Sequence, residues 1–195
     1  MRLLLGLGNP GERYARTRHN VAWRVLDDLA RRHGARPGED DPLYRTRSVS
    51  LRGGEVVMME PRTFMNASGE ALAAWWARHG ADLAGLLVVT DDVYLSLGRI
   101  RVRARGTSGG HRGLDSIQDA VGSREYARLR IGVGAAGSSA GLREHVLESV
   151  APEEEPVLES AIRLAADAVE CWAAEGLLAA MNRFNARLRK EVSES

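Results

Sequence analysis

The chain is short of the features that mark several kinds of protein. It has one cysteine, Cys171, in 195 residues, which excludes an internal disulfide and a cysteine-built metal site. Cys171 lies in Val169-Glu-Cys-Trp172, which reads as helix, and a packed thiol explains it. No apolar run approaches the ~20 residues of a membrane span, and the start lacks the basic region and cleavage site of a signal peptide, so the expected location is the cytoplasm. There is no internal repeat and no low-complexity tract. No Ser or Cys stands in a nucleophile motif such as G-x-S-x-G, and no residues stand at a known metal-ligand spacing. A formal net charge of +1 gives no bulk attraction to a polyanion. Forty-four per cent hydrophobic residues are too many for a disordered chain, and this length suits one substantial core. One domain over residues 1–190 is expected, with a polar tail at 191–195 that frays.

What is present begins with the first twenty residues. Leu3, Leu4, Leu5 and Leu7 form a short apolar run suited to a strand buried on both faces. Gly8-Asn9-Pro10-Gly11 stops it, and a polar loop delivers His19 and Asn20 to the start of an amphipathic helix. Asn9, Tyr14, His19 and Asn20 are thereby gathered near the end of an apolar strand, where open α/β sheets bind ligands. The string Gly6-Leu-Gly8-Asn-Pro-Gly11 also fits the glycine pattern of dinucleotide sites. There, however, the helix starts inside the glycines and an acidic residue closes a second strand about twenty residues on. Here the helix pattern starts only near Asn20, and Asp27 and Asp28 fall within it, so the cofactor reading fails and no cofactor is expected.

Further along, Val21, Val25, Leu26 and Leu29 share one helical face, and Gly34 ends the run. Residues 35–43, with two prolines, read as a polar loop. Residues 44–52 and 55–60 read as strands joined by Gly53-Gly54. After Pro61, a second helix carries Ala71, Leu72, Trp75 and Trp76 on its apolar face, with Asn66 or Ser68 as its cap. Residues 85–90 form a continuous apolar run, hence a central strand, ending in Asp91-Asp92. Asp92, one residue on, is expected to point away from Asp91.

Residues 98–105 give the sharpest periodicity. Arg99, Arg101, Arg103 and Arg105 alternate with Ile100, Val102 and Ala104, so a strand would place all four guanidinium groups on one face. From Arg99 to Arg130 eight arginines face three acids, an electrostatic footprint for phosphates, which the planar guanidinium fork suits. A charged edge strand that blocks aggregation is the alternative. A glycine-rich loop, residues 106–113, opens a short helix through Leu114, Ile117 and Val121; residues 128–134 are a further strand. Residues 135–141 read as a flexible loop. Helices are expected over 142–150, 153–174 and 177–189. Pro152 suits the first position of the long one, and Glu153, Glu154 and Glu155 complement its dipole. Strands mixed with helices, hairpin included, indicate an α/β fold: one three-layer domain, a twisted mixed β-sheet flanked by helices.

The loops after the strands carry Asn9 with His19, then Asn66, then Asp91 with His111. A histidine oriented by a carboxylate can take a proton from water, and carboxamides can donate to a developing oxyanion. Beside an arginine face, these groups point to hydrolysis of a bond attached to a nucleic acid.

At these residues the sequence resembles the bacterial-type peptidyl-tRNA hydrolases. The resemblance covers nearly the whole chain, in six ordered blocks: 6–14, 17–20, 61–66, Asp91-Asp92, 109–114 and 128–134. It implies hydrolysis of the ester joining a peptide to the terminal ribose of tRNA, with no metal and usually as a monomer. By resemblance His19 matches the catalytic base, Asp91 its carboxylate partner, and Asn9 and Asn66 the carboxamides that position substrate and water. Tyr14 and Met65 match residues lining the cleft for peptide and terminal nucleotide. His111 falls in the substrate-binding block, and Arg101, Arg103 and Arg130 fall where the family has basic residues that meet tRNA phosphates, including its 5′ end; the partner implied is peptidyl-tRNA, met at its acceptor stem and 3′ end. One position departs: after Gly-Gly-His the family typically has asparagine, and this chain has Arg112, which offers donors but no acceptor. Some plastid relatives serve RNA splicing, so a non-catalytic RNA-binding role is the alternative function.

Overall fold

The computed structural model describes residues 1–134 and 142–185. The expected loop at 135–141 and the tail at 191–195 lie outside the described residues. Among the described residues seven strands form one sheet: β1 (Arg2–Gly6), β2 (Arg36–Asp40), β3 (Tyr44–Leu51), β4 (Gly54–Pro61), β5 (Leu86–Asp92), β6 (Ile100–Arg103) and β7 (Ala127–Gly132), in the order β2-β3-β4-β1-β5-β7-β6. The central strands β4, β1, β5 and β7 run parallel, while β2, β3 and β6 are antiparallel to their neighbours. Among the described residues six α-helices flank the sheet: α1 (Val21–His33), α2 (Ser68–His79), α3 (Arg112–Val121), α4 (Leu142–Leu147), α5 (Glu155–Glu175) and α6 (Leu177–Asn185).

The apolar runs explain the layering. Alternate residues of β1 and β5 enter different cores: Leu4, Leu87 and Val89 pack with α1, α5 and α6, and Leu3, Leu5, Leu86 and Val88 pack with α2 and α3. All seven residues of β5 are buried, as expected of a strand covered on both faces. The α1 face of Val21, Val25, Leu26 and Leu29 is fully buried, and Gly34 ends that helix in the left-handed conformation.

Several elements differ from the sequence reading. Residues 36–40 form an edge strand rather than a loop, with an irregularity between Pro37 and Asp40. An edge tolerates proline because one side of it donates to nothing. Neither Asn66 nor Ser68 caps α2: residues 65–67 make a 3₁₀ turn, Ala67 precedes the helix without a side-chain cap, and Ser68 donates to the Met65 carbonyl. The arginine strand is shorter than 98–105, because Gly98 sits at φ 86° and the Arg99 N–H closes a turn on Ser96. Only Arg101 and Arg103 lie within it. The long helix starts at Glu155, with Pro156 rather than Pro152 at its opening, and α4 ends at Leu147.

Two of the three glycines of the apparent dinucleotide motif, Gly6 and Gly8, have a packing cause. A Cβ at Gly8 would meet the Trp23 ring at 2.6 Å, and the Trp23 indole N–H donates to the Gly6 carbonyl at 3.0 Å. They let the Trp23 side chain of α1 lie against the end of β1.

Candidate active site

The site forms where β1, β5 and β7 end. Neighbouring parallel strands bring the loop after β1 beside the carboxyl end of β5. That loop is tied down at both sides of His19. On one side Asn20 pairs with the backbone of Asn9, its Oδ1 accepting the Asn9 N–H and its Nδ2 donating to the Asn9 carbonyl, both at 2.9 Å. On the other side the buried Arg18 donates to the Ser149 carbonyl at 3.2 Å and to Glu154 at 2.5 Å. Sequence reasoning did not single out Arg18 as a site residue, and it placed Asn20 in the loop without a job. Both work through backbone or distant partners that no local pattern announces. Glu154, read as a helix-dipole residue, serves as this anchor.

His19 Nδ1 lies 2.9 Å from Asp91 Oδ1. Asp91 is 1% exposed, and the same oxygen lies 2.8 Å from His111 Nε2. His111 reaches it from the glycine-rich loop that opens α3. Its Nδ1 accepts the N–H groups of Gly113 and Leu114 at 3.2 and 3.3 Å, capping that helix. An accepting nitrogen carries no proton, so Nε2 holds it and donates to Asp91, sharing it with Thr90 Oγ1 at 2.8 Å. His19 donates its Nδ1 proton to Asp91, so its Nε2 presents a lone pair and makes no hydrogen bond with a described residue. The His19 side chain is 13% exposed and lines a cavity of about 300 Å³ with Asp91, Asp92, Tyr94, His111 and Arg112. Burial alone would raise the Asp91 carboxyl, but the charge and hydrogen bonds of the two imidazoles outweigh it and hold it well below the usual carboxylate range.

Asp92 does not simply point away. It lines the same cavity, accepting the Tyr94 N–H at 2.8 Å through one oxygen and Arg130 at 3.0 Å through the other. At the end of a strand the alternation of faces no longer separates neighbours, because the cavity sits over the edge. Asn9 Oδ1 accepts the Met65 N–H at 2.9 Å, which turns its amide nitrogen the other way. The Met65 side chain is 4% exposed; a Cβ at Gly113 would meet its sulfur at 2.5 Å, so methionine and glycine dock α3 against the 65–67 turn. Asn66 is exposed in a second cavity of about 500 Å³ between α2 and α3, with Glu70, Asp115, Ser116 and Asp119. Arg112 lines both cavities. Tyr14 is half-buried under the Arg13 guanidinium, 4.6 Å from the ring centre, and lines neither cavity.

The arginines divide into two sets. Arg101 stands opposite Arg130, and Arg103 opposite Arg128, across the β6–β7 pairing. Arg128 is buried, its guanidinium 4.1 Å from the Tyr126 ring centre, and it donates to the carbonyls of Gly106, Thr107 and Arg124. Burial lowers its pKa from the ordinary value. Arg130 donates to Asp92 and to the carbonyls of Thr107 and Ser108. These two brace the glycine-rich loop that carries His111. Arg101 is half-buried and Arg103 exposed, and neither makes an ion pair or hydrogen bond with a described residue, whereas Arg105 meets Glu125 at 3.5 Å.

The ligand atoms of His19, Asp91 and His111 lie within 4.8 Å of one another, the one such group among the described residues that could hold a metal ion. Each imidazole nitrogen in it donates a proton to Asp91 at 2.8–2.9 Å. Ligands around a tetrahedral ion with 2.0–2.1 Å bonds stand about 3.3 Å apart. The trio fits a proton-handling cluster better than a metal cage.

A carboxylate-held imidazole with an open nitrogen, in a cavity at the carboxyl ends of parallel strands, is an arrangement that can take a proton from a bound water or hydroxyl. Comparison with known proteins makes the class specific. A family model described as peptidyl-tRNA hydrolase matches residues 3–193. The peptidyl-tRNA hydrolase of Chloroflexus aggregans is 44% identical over 186 residues, 95% of this chain and 99% of that one. That of Syntrophomonas wolfei is 40% identical over 185 residues, 95% and 100% of the two chains. The solved structure of the Acinetobacter baumannii peptidyl-tRNA hydrolase superposes with a TM-score of 0.88 at 31% identity, covering 95% of each chain. The chain belongs to the peptidyl-tRNA hydrolase family.

Proposed function

We propose that the chain hydrolyses the ester between a peptide, or N-blocked amino acid, and the terminal ribose of tRNA, with His19 as the base. The observation that carries this is the His19–Asp91 hydrogen bond, which leaves His19 Nε2 open to the cavity in a chain of this family. Nε2 takes a proton from water as the water oxygen adds to the ester carbonyl. The tetrahedral intermediate then expels the ribose oxygen, which takes the proton back, so the peptide leaves as an acid and the tRNA with its hydroxyl restored. Asp91 fixes the tautomer and stabilises the imidazolium between these transfers. The free amide nitrogen of Asn9 is a donor for the developing oxyanion. Asn66 and Arg112, exposed at the cavities, contribute to holding the peptide and terminal nucleotide, and Met65 and His111 fix the elements that carry them. Arg101 and Arg103 meet phosphates of the tRNA acceptor stem, while Arg130, bonded to Asp92 and to the Thr107 and Ser108 carbonyls, braces the glycine-rich loop beside them.

The reaction as written needs no metal or other cofactor and one copy of the chain. Its place is the cytoplasm, where peptidyl-tRNA arises; no helix among the described residues is long and apolar enough to cross a membrane. The test is release of N-blocked amino acid from aminoacyl-tRNA by purified protein, with and without chelator. Release that survives chelation is expected. Tight tRNA binding with no release would instead assign a binding-only relative.

A further inference from the structure

Arg112 occupies an uncomfortable place. It is the first residue of α3, at the positive end of the helix dipole, where a cation is disfavoured. It makes no ion pair or hydrogen bond with a described residue, although Glu70, Asp115 and Asp119 share the larger cavity with it. Arg18, Arg24, Arg32, Arg45, Arg47 and Arg78 are all ion-paired. Arg112 is exposed. Its guanidinium, in the wall shared by two cavities of which one holds His19, is available to an anion on the ligand.

We propose that Arg112 holds a phosphodiester of the unpaired 3′ end of tRNA, so that this chain reads the nucleotides next to the ester by charge. This rests on the substrate reading above. One observation favours a nucleotide phosphate over an acidic side chain of the peptide: the smaller cavity, which Arg112 also lines, carries Tyr94, 71% exposed, whose ring is a face on which a base can stack. The guanidinium fork takes two phosphate oxygens at once through two nitrogens and brings a full positive charge, whereas an asparagine amide offers one uncharged NH2 group.

The experiment compares wild type, Arg112→Met and Arg112→Lys on three N-acetyl-aminoacyl esters. One is the ester of adenosine, the second that of the trinucleotide CCA, and the third that of CCA with uncharged methylphosphonate linkages. Arg112→Met should lose about tenfold more kcat/KM on CCA than on adenosine, the size expected of one charge-assisted hydrogen bond. Wild type should lose a similar factor on the uncharged CCA, where the difference between wild type and Arg112→Met should close. Arg112→Lys should keep part of the CCA preference. Equal losses on all three substrates would overturn the proposal, as would no loss on any. So would an Arg112→Met effect that follows glutamyl against glutaminyl esters of adenosine rather than the phosphates. Wild type cleaving none of the three would remove the substrate reading itself; wild type cleaving all of them with equal losses in the variant removes only the role of Arg112.

Discussion

His19 and His111 grip the same oxygen of Asp91 from two different loops, with rings 5.0 Å apart, and yet they are left with opposite freedoms. His19 spends one nitrogen on Asp91 and keeps the other for the cavity. His111 spends both: one on Asp91 and Thr90, the other on the first backbone N–H groups of α3. Equal distance from a carboxylate therefore does not make equal bases. What the second nitrogen does decides whether an imidazole handles protons or holds a loop in place.

The largest expected effect breaks the free member of the pair. His19→Ala should lower single-turnover cleavage by ~10²–10⁴-fold, the range of general-base assistance, with tRNA binding almost intact. Near-normal cleavage by this variant would remove the mechanism. Asp91→Asn should cost less, about ten- to a hundredfold, because water addition loses its oriented base but keeps the imidazole. That variant also has a pH signature. The Asp91 carboxyl lies below its ordinary value of 3.8 in the folded protein. A lowered carboxylate stabilises the fold fully above the ordinary value and loses that contribution as the pH falls below it. Wild type should thus exceed Asp91→Asn in thermal stability at neutral pH, with the gap narrowing below about pH 4. A gap that widens in acid would mean the carboxylate is not held by the two imidazoles.

The engaged histidine should behave differently. His111→Ala removes a helix cap and should destabilise the protein by ~1 kcal/mol, while costing no more than about tenfold in turnover. His111→Asn keeps an oxygen for the cap and should recover most of the stability without reaching Asp91. If melting and single-turnover measurements showed His111→Ala matching His19→Ala in turnover at unchanged stability, the distinction between the two would collapse.

Sequence alone carried the central part of this architecture and missed its braces. The runs at Leu3–Leu7 and Leu86–Val89 are legible because a strand covered on both faces must be apolar throughout. His19 and Asp91 are legible as polar groups at the ends of those runs. The edge strand at 36–40 is not, since Pro37 and Gly38 carry loop signals that only an edge tolerates. Arg18, Asn20 and Glu154 are silent because each acts on backbone or on a residue far along the chain. Arg128 is the sharpest loss. An arginine reads as surface charge, and only the carbonyls of the glycine-rich loop and the Tyr126 face explain why this one is buried.

The smallest expected effect extends the contrast to the cations. Arg101 and Arg103 lie open beside Arg130, which is already spent on Asp92 and on the loop carrying His111. If the open pair meets phosphates, Arg101→Ala with Arg103→Ala should weaken tRNA binding and reduce the slope of log K against log salt by about 0.7–0.9 for each phosphate no longer neutralised. Cleavage of an adenosine ester, which has no tRNA body, should change little. Arg130→Ala should do something else: it frees Asp92 and the Thr107 and Ser108 carbonyls, so the adenosine ester should be cleaved more slowly too, by a few fold. The sequence, which shows only alternating arginines, leads to one outcome for all three. Parallel salt titrations and ester assays separate the sets. Identical behaviour of Arg130→Ala and the double variant on both readouts would mean that its bonds to the loop carry no mechanical weight.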